Sequence, residues 1–384
     1  MSADQPGTPQ PGTPQLGDVV AAASGVLGRD LTAPVILTSG SGRSLVLRCE
    51  DRSSTTVIVK AYPQSADGAQ CFAAEAAGLA LATGTGLAPA FFGADSDALT
   101  VVMSDLGTGA SMADVLLANS SAAGSAAAAA RSTLLKWAAA CGSLSALTSR
   151  RRDEFDALLA KYSAGRPSES YLARLPAFIR GVADRAGLLG VAARAGLDSD
   201  LEEVAVFLES DQHVIFSPGD ICPDNNLLTA AGVRFLDFEE AGFYSVFLDA
   251  AYIRMPFSTC WCVFRLPSEF SKEVEAAYRA QISALWPELA DDANWQPGVW
   301  RAVAAWTLSS MGWLLEWSLK GDAPMEPGAT SPRTRQLIRH RWQVLAGELE
   351  SAGELPALAG LMRDLLTATE HWQAPELPVY PAFR

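Results

Sequence analysis

Hydrophobic and polar positions change rhythm several times along the chain. Residues 34–38 and 44–48 are two short apolar runs around Ser39-Gly40-Ser41-Gly42-Arg43, a pattern that predicts a hairpin with a glycine-containing loop. Residues 55–61 are β-branched and predict a strand ending at Lys60. Residues 66–84 are alanine-rich, with Phe72, Leu79 and Leu81 on one side, and predict a helix that carries Glu75. Residues 90–93 and 99–103 predict two further strands. Upstream, Asp18 is placed to cap a short helix through Leu27, with Val19, Val20 and Leu27 turned inward.

Beyond Met112 the rhythm is mostly helical. Residues 110–118 and 122–149 are Ala- and Leu-rich segments around a polar break at 119–124, and helices continue over 150–165 and 169–210. Strand signals return at 214–216, 226–229 and 233–238, punctuated by Pro218-Gly219, Pro223-Asp224 and Ala231-Gly232. The rest predicts helices over 272–285, 299–319, 334–349 and 355–369, then an extended end over 375–384.

Composition narrows the class. Of 384 residues, 49% are hydrophobic and 19% charged, which suits a globular chain with ample core and two or three domains or one bilobal unit. A formal net charge of −14 argues against nucleic acid and anionic membrane as partners and leans towards a cationic small molecule. Six Cys and three His show neither zinc spacing nor a secreted disulfide framework, and Cys260 with Cys262 alone makes no metal site. Residues 1–16 repeat Gln-Pro-Gly-Thr-Pro and predict a disordered tail; without a basic start and apolar core they do not make a signal peptide. No uninterrupted apolar run reaches the ~18 residues of a membrane span, so a cytoplasmic location is expected.

Candidate chemistry concentrates at Phe216-Ser217-Pro218-Gly219-Asp220-Ile221-Cys222-Pro223-Asp224-Asn225-Asn226, followed by Phe235-Leu236-Asp237-Phe238-Glu239. A hairpin here carries Asp220 and Asn225 on the loop before it and Asp237 at its far end. Phosphoryl transfer needs a carboxylate to orient and deprotonate a hydroxyl, and oxygen ligands to hold Mg²⁺ against nucleotide phosphates. An acidic surface hairpin with turn-forming Asp and Asn is the plainer alternative.

This order of residues resembles the aminoglycoside phosphotransferase family. The resemblance implies an α+β, bilobal protein-kinase-like fold: an N-lobe over residues 18–104 with a small antiparallel sheet, and a mainly helical C-lobe over 105–384, after a tail at 1–17. It also implies an ATP-dependent kinase that phosphorylates a small molecule's hydroxyl. Asp220 then looks like the catalytic base, and Asn225 and Asp237 like Mg²⁺ ligands. Pro218 stands where the family usually has His. Val57-Ile58-Val59-Lys60 resembles the strand whose Lys reaches the phosphates, with Glu75 as its acidic partner; a buried ammonium needs one. Gly40 and Gly42 match the phosphate-covering turn, although an ordinary hairpin turn reads the same. The backbone of Ser104 and Leu106 would meet the adenine edge. Asp249 is expected to accept hydrogen bonds from catalytic-loop amides or to cap a helix.

Further along, Arg254, Arg265 and Trp261 are open to a substrate role or to packing with salt bridges. Trp286, Trp295, Trp300, Trp306, Trp313, Trp317 and Trp342 fit core packing better than an aromatic cage. Glu316, Asp322 and Glu326 are weak candidates for binding an amine. The acceptor expected is an aminoglycoside, an amino sugar, a choline-like alcohol or another sugar, and oligomeric state is not readable. The rival readings are a protein kinase, a kinase using another nucleotide, and a catalytically degenerate kinase-fold scaffold. A protein kinase is disfavoured because no Ala-Pro-Glu segment follows Asp237.

Overall fold

Leu47, Cys49, Val57 and Val59 are fully buried while the residues between them are half-exposed, the alternation of strands with one face on a core. The computed structural model describes residues 14–38, 44–118, 123–163, 170–255, 257 and 259–384. They divide into two units: Met1–Thr108 with Arg151–Ser170 and Arg234–Gly242, and Gly109–Arg150 with Tyr171–Val233 and Phe243–Arg384.

The first unit opens with α1 (Leu16–Leu27), β1 (Leu31–Thr38), β2 (Leu45–Asp51), β3 (Thr56–Ala61), α2 (Ala66–Ala82), β4 (Phe91–Asp95) and β5 (Thr100–Ser104). The strands form a five-stranded antiparallel sheet in the order β1-β2-β3-β5-β4. Val19 and Ala23 of α1 join Leu47, Cys49, Val57, Val59 and Val102 in one core. Asp18 does not cap α1: Gln15 is the N-cap and Asp18 lies in the first turn, where a carboxylate still opposes the positive helix end. Ser65 caps α2, its hydroxyl accepting from the Gly68 N–H at 3.0 Å. Buried residues occur all round α2, and most are Ala or Gly, which lets neighbours approach closely. A Cβ at Gly78 would stand 2.7 Å from the Ala241 Cβ.

The second unit begins with α3 (Met112–Leu117) and α4 (Ala123–Thr148). The chain then returns to the first unit for α5 (Arg152–Tyr162). There Arg151 donates to the Leu81 carbonyl at 2.6 Å, and the Tyr162 ring meets Phe72 and Phe91 edge-on. α6 (Tyr171–Arg180), α7 (Val182–Gly187), α8 (Leu197–Glu209) and β6 (Val214–Ser217) follow. Next come β7 (Asn226–Thr229), β8 (Gly232–Phe235), β9 (Gly242–Ser245) and α9 (Val246–Arg254). β6 pairs with β9, and β7 with β8. α10 (Ser268–Ile282), α11 (Asp292–Ser310), α12 (Leu314–Lys320), α13 (Thr334–Ala352) and α14 (Pro356–Ala368) complete the unit. Trp137, Trp295 and Trp342 are fully buried in its core.

Two further expectations change. The helix predicted over 299–319 is two helices, because α11 tightens and ends at Ser310. Ser309 and Ser310 donate to the carbonyls of Trp306 and Thr307, and the Met311 and Gly312 amides reach back only three residues. The end at 375–384 is extended as far as Tyr380, with Val379 bridged to Arg265, but closes in a 3₁₀ turn at Pro381–Phe383. Among the described residues no helix is long and apolar enough to cross a membrane.

Candidate active site

In the first unit, β3 delivers Lys60 to the sheet's end and α2 presents Glu75. The segment after β8 supplies Asp237, Phe238 and Glu239. The Lys60 ammonium donates to Glu75 Oε2 at 3.1 Å and to Asp237 Oδ1 at 2.8 Å, and lies 3.5 Å from Glu239 Oε2. Glu75 is wholly buried, and its Oε2 also accepts from the Tyr62 hydroxyl at 3.2 Å and the Phe238 amide at 2.9 Å. Burial alone would neutralise Lys60. The charges of Asp237, Glu75 and Glu239 outweigh it and hold the ammonium above the ordinary lysine range. Burial pushes Glu75 up to about 8, against the pull of Lys60 and with further push from Asp237 and Glu239. Glu75 Oε1 is buried with no partner. Three carboxylates gather round one ammonium here, and hard carboxylate oxygens are the ligands a divalent cation such as Mg²⁺ takes.

In the second unit, β6 ends at Ser217 and the chain turns sharply at Gly219, whose φ of +85° favours glycine. Ser217 fixes this turn. Its hydroxyl accepts from the Gly219 amide at 3.1 Å and donates to Asp249 Oδ1 at 3.0 Å. Asp249 thus reaches the loop through Ser217 rather than through the loop's amides. Asp249 is 7% exposed, and burial pushes it up to about 7 against that hydrogen bond.

Asp220 Oδ1 accepts from the Thr259 hydroxyl at 3.0 Å, the Tyr252 hydroxyl at 3.3 Å and the Cys222 amide at 3.3 Å. The Asn225 side chain donates to the Asp220 carbonyl at 3.2 Å, which points its amide oxygen away from that contact. Asn226 clamps the loop from beneath: it donates to the Cys222 carbonyl at 3.0 Å and accepts from the Met112 amide at 3.1 Å. Gly109 lets Leu228 dock beside it, since a Cβ there would stand 2.7 Å from the Leu228 carbonyl.

With this geometry in hand, comparison with known proteins is informative mainly at the level of fold. No family model matches the sequence, and no curated protein matches it. Among solved structures, the choline kinase from Cryptosporidium parvum superposes with a TM-score of 0.50 at 14% identity, over 86% of this chain and 93% of that one. The chain has the protein-kinase-like fold. Other structures it resembles include the choline kinase LicA from Streptococcus pneumoniae (TM-score 0.49, 12% identity, 87% of this chain and 98% of that one). A putative fructosamine-3-kinase from Thermobifida fusca is another (TM-score 0.43, 19% identity, 77% and 99%).

Within this kinase-like fold, Lys60, Glu75 and Asp237 meet in the first unit, while Asp220, Asn225 and Asp249 lie together in the second. Gly40 and Gly42 lie outside the described residues. Ser104 is half-buried, and its amide is committed to the Ala90 carbonyl at 2.9 Å. Leu106 follows in the segment after β5, beside Asp105, which takes a bidentate bond from Arg48.

Sequence reasoning missed Glu239, Tyr62, Ser217, Tyr252 and Thr259. Glu239 was visible as the last residue of Asp-Phe-Glu. Tyr252 and Thr259 carry no signal in the sequence, since only folding brings them to Asp220. Arg254 is held by Glu275 and Glu348, and Arg265 by Glu376. Glu316 faces Arg185 and Asp322 faces Arg333. Trp261 donates to Asp224, and Trp295 and Trp306 donate within the core.

Proposed function

We propose that the chain is a phosphotransferase that moves the γ-phosphoryl group of ATP to a hydroxyl of a small molecule. The observation that carries this reading is the buried Lys60 ammonium fixed among Glu75, Asp237 and Glu239. A lysine kept charged and immobile suits phosphate oxygens, and the surplus of carboxylate suits Mg²⁺. Lys60, held by Glu75, would position the phosphates. Gly40 and Gly42 would let backbone approach them, and Ser104 and Leu106 would meet the adenine edge. Asn225 and Asp237 would hold Mg²⁺, which when bound neutralises charge developing on the phosphoryl oxygens. Asp220 would orient the acceptor hydroxyl and take its proton. Its carboxylate is already aimed by Thr259 and Tyr252 through one oxygen.

The choline kinase from Cryptosporidium parvum, named above for its fold, acts on choline, a small alcohol bearing a quaternary ammonium. The net charge of −14 supports an amine-bearing acceptor of that kind: an aminoglycoside, an amino sugar or a choline-like alcohol. A cytoplasmic setting would supply the ATP.

Calorimetric titration of Mg·ATP into wild type and Asp237→Ala tests the nucleotide site. Magnesium-dependent binding is expected in the wild type and its loss in the variant. Asp220→Asn is expected to bind nucleotide nearly as wild type and to turn over a phosphorylated acceptor orders of magnitude more slowly. Equal turnover would remove Asp220 from the base role. A folded wild type that binds no Mg·ATP would overturn the kinase reading in favour of a catalytically degenerate scaffold.

A further inference from the structure

Cys260 and Cys262 are two thiols on one short loop, too few for a metal. The fold adds two more ligands. Sγ of Cys222, Sγ of Cys260 and a carboxylate oxygen of Asp224 all lie within 4.8 Å of one another, and Cys262 Sγ lies 2.8 Å from Cys260 Sγ. We propose that Cys222, Asp224, Cys260 and Cys262 form a closed structural site for one Zn²⁺ ion.

Four protein ligands, three of them soft sulfurs, match a structural rather than a catalytic zinc site. At Zn–S lengths of about 2.3 Å, tetrahedral ligands stand about 3.8 Å apart, so Cys222, Asp224 and Cys260 need adjustments of about 1 Å, while Cys262 must part from Cys260 by about as much and turn towards the other two. Asp224 is oriented for the purpose. The Trp261 indole N–H donates to its Oδ2 at 2.7 Å, which turns Oδ1 towards Cys260 Sγ at 3.5 Å. A carboxylate ligand held by a hydrogen bond on its other oxygen is the usual outer support of a metal ligand.

Cys222 Sγ has the Tyr252 hydroxyl at 2.9 Å and the Thr259 hydroxyl at 3.3 Å, so two polar groups already stand beside the sulfur that would bind the ion. Binding would displace three thiol protons, leaving three thiolates, one carboxylate and Zn²⁺ with a net charge of −2. The ion would tie the loop after Asp220 to the segment carrying Thr259, and so hold the hydroxyl that aims Asp220.

The test is metal content and cobalt substitution of the full chain. About one zinc per chain is expected after purification without added chelator. The Co²⁺-exchanged protein should show a sulfur-to-metal charge-transfer band and the visible bands of a tetrahedral centre. Cys262→Ser and Cys260→Ser should lose the charge-transfer intensity stepwise and release zinc to a competing chelator more readily. Trp261→Phe, which keeps every ligand, should weaken zinc about 10–100-fold while circular dichroism stays that of the wild type.

A folded protein with no zinc, no cobalt bands and six titratable thiols would overturn the proposal, as would a count of four thiols, which would mean a disulfide. Metal and thiols are read without any phosphoryl transfer. Their outcome is therefore distinguishable from that of the nucleotide titration.

Discussion

Removing the Lys60 ammonium takes from Glu75, Asp237 and Glu239 the cation that all three share. Lys60→Met is therefore expected to destabilise the protein by about 3–5 kcal/mol in urea unfolding at neutral pH, the cost of breaking a buried pair from one side. An unchanged midpoint would show that the cluster does not depend on its lysine. Glu75 was legible from its place in an alanine-rich helix after a strand lysine. Its dependence on Tyr62 and on the Phe238 amide was not. Those bonds join residues 13 and 163 positions away, and no local pattern encodes such a meeting.

α2 carries Glu75 because Ser65 starts the helix and because its alanines and Gly78 let it lie close to the segment after β8. An Ala in place of Gly usually stabilises a helix by up to about 1 kcal/mol. At Gly78 the sign reverses, because the new Cβ would stand 2.7 Å from the Ala241 Cβ and 3.0 Å from the Phe238 Cβ. Gly78→Ala should cost about 1–3 kcal/mol of overpacking and disturb Asp237 next door, with a lower melting temperature and weaker Mg·ATP binding as the measurements. Elements of this length were readable from periodicity. Their ends were less so: α11 stops at Ser310 because serine hydroxyls take carbonyls that a longer helix needs. β9 escaped notice because its four residues pair with β6, a partner remote in sequence.

At the scale of the whole molecule, buried titratable groups shape stability against pH. Asp249 is pushed up to about 7 in the folded state, against about 4 in an unfolded chain. The unfolded chain loses this proton first, so the stability from Asp249 is complete below about pH 4 and is lost as pH rises to about 7. His340 is pulled down by burial to about 4, so its contribution is complete above about 6.5 and is lost as pH falls to about 4. The two slopes oppose each other across the acidic range. Asp249→Asn removes the first, so the variant should gain on wild type as pH rises from about 4 to 7, by at most about 1.4 kcal/mol per unit. Urea unfolding of both proteins at several pH values checks this; a pH-independent difference would mean that Asp249 is ionised throughout.

Sequence by itself, through the strand and helix pattern and the family resemblance it carries, pointed to the α+β class, to the antiparallel sheet with a strand lysine, and to the residues proposed for phosphoryl transfer. These depend on local propensity, on periodicity and on spacing within a few dozen residues, all of which the chain carries in linear form. Tertiary structure decided which side chains hold them. Glu239 and Tyr62 surround Lys60, Ser217 stands between Asp249 and the turn, and Thr259 and Tyr252 aim Asp220. It also gathered Cys222 and Asp224 beside Cys260 and Cys262. Hydrogen bonds and ion pairs act over about 3 Å whatever the distance along the chain, so only the folded backbone selects which distant residues come within that reach.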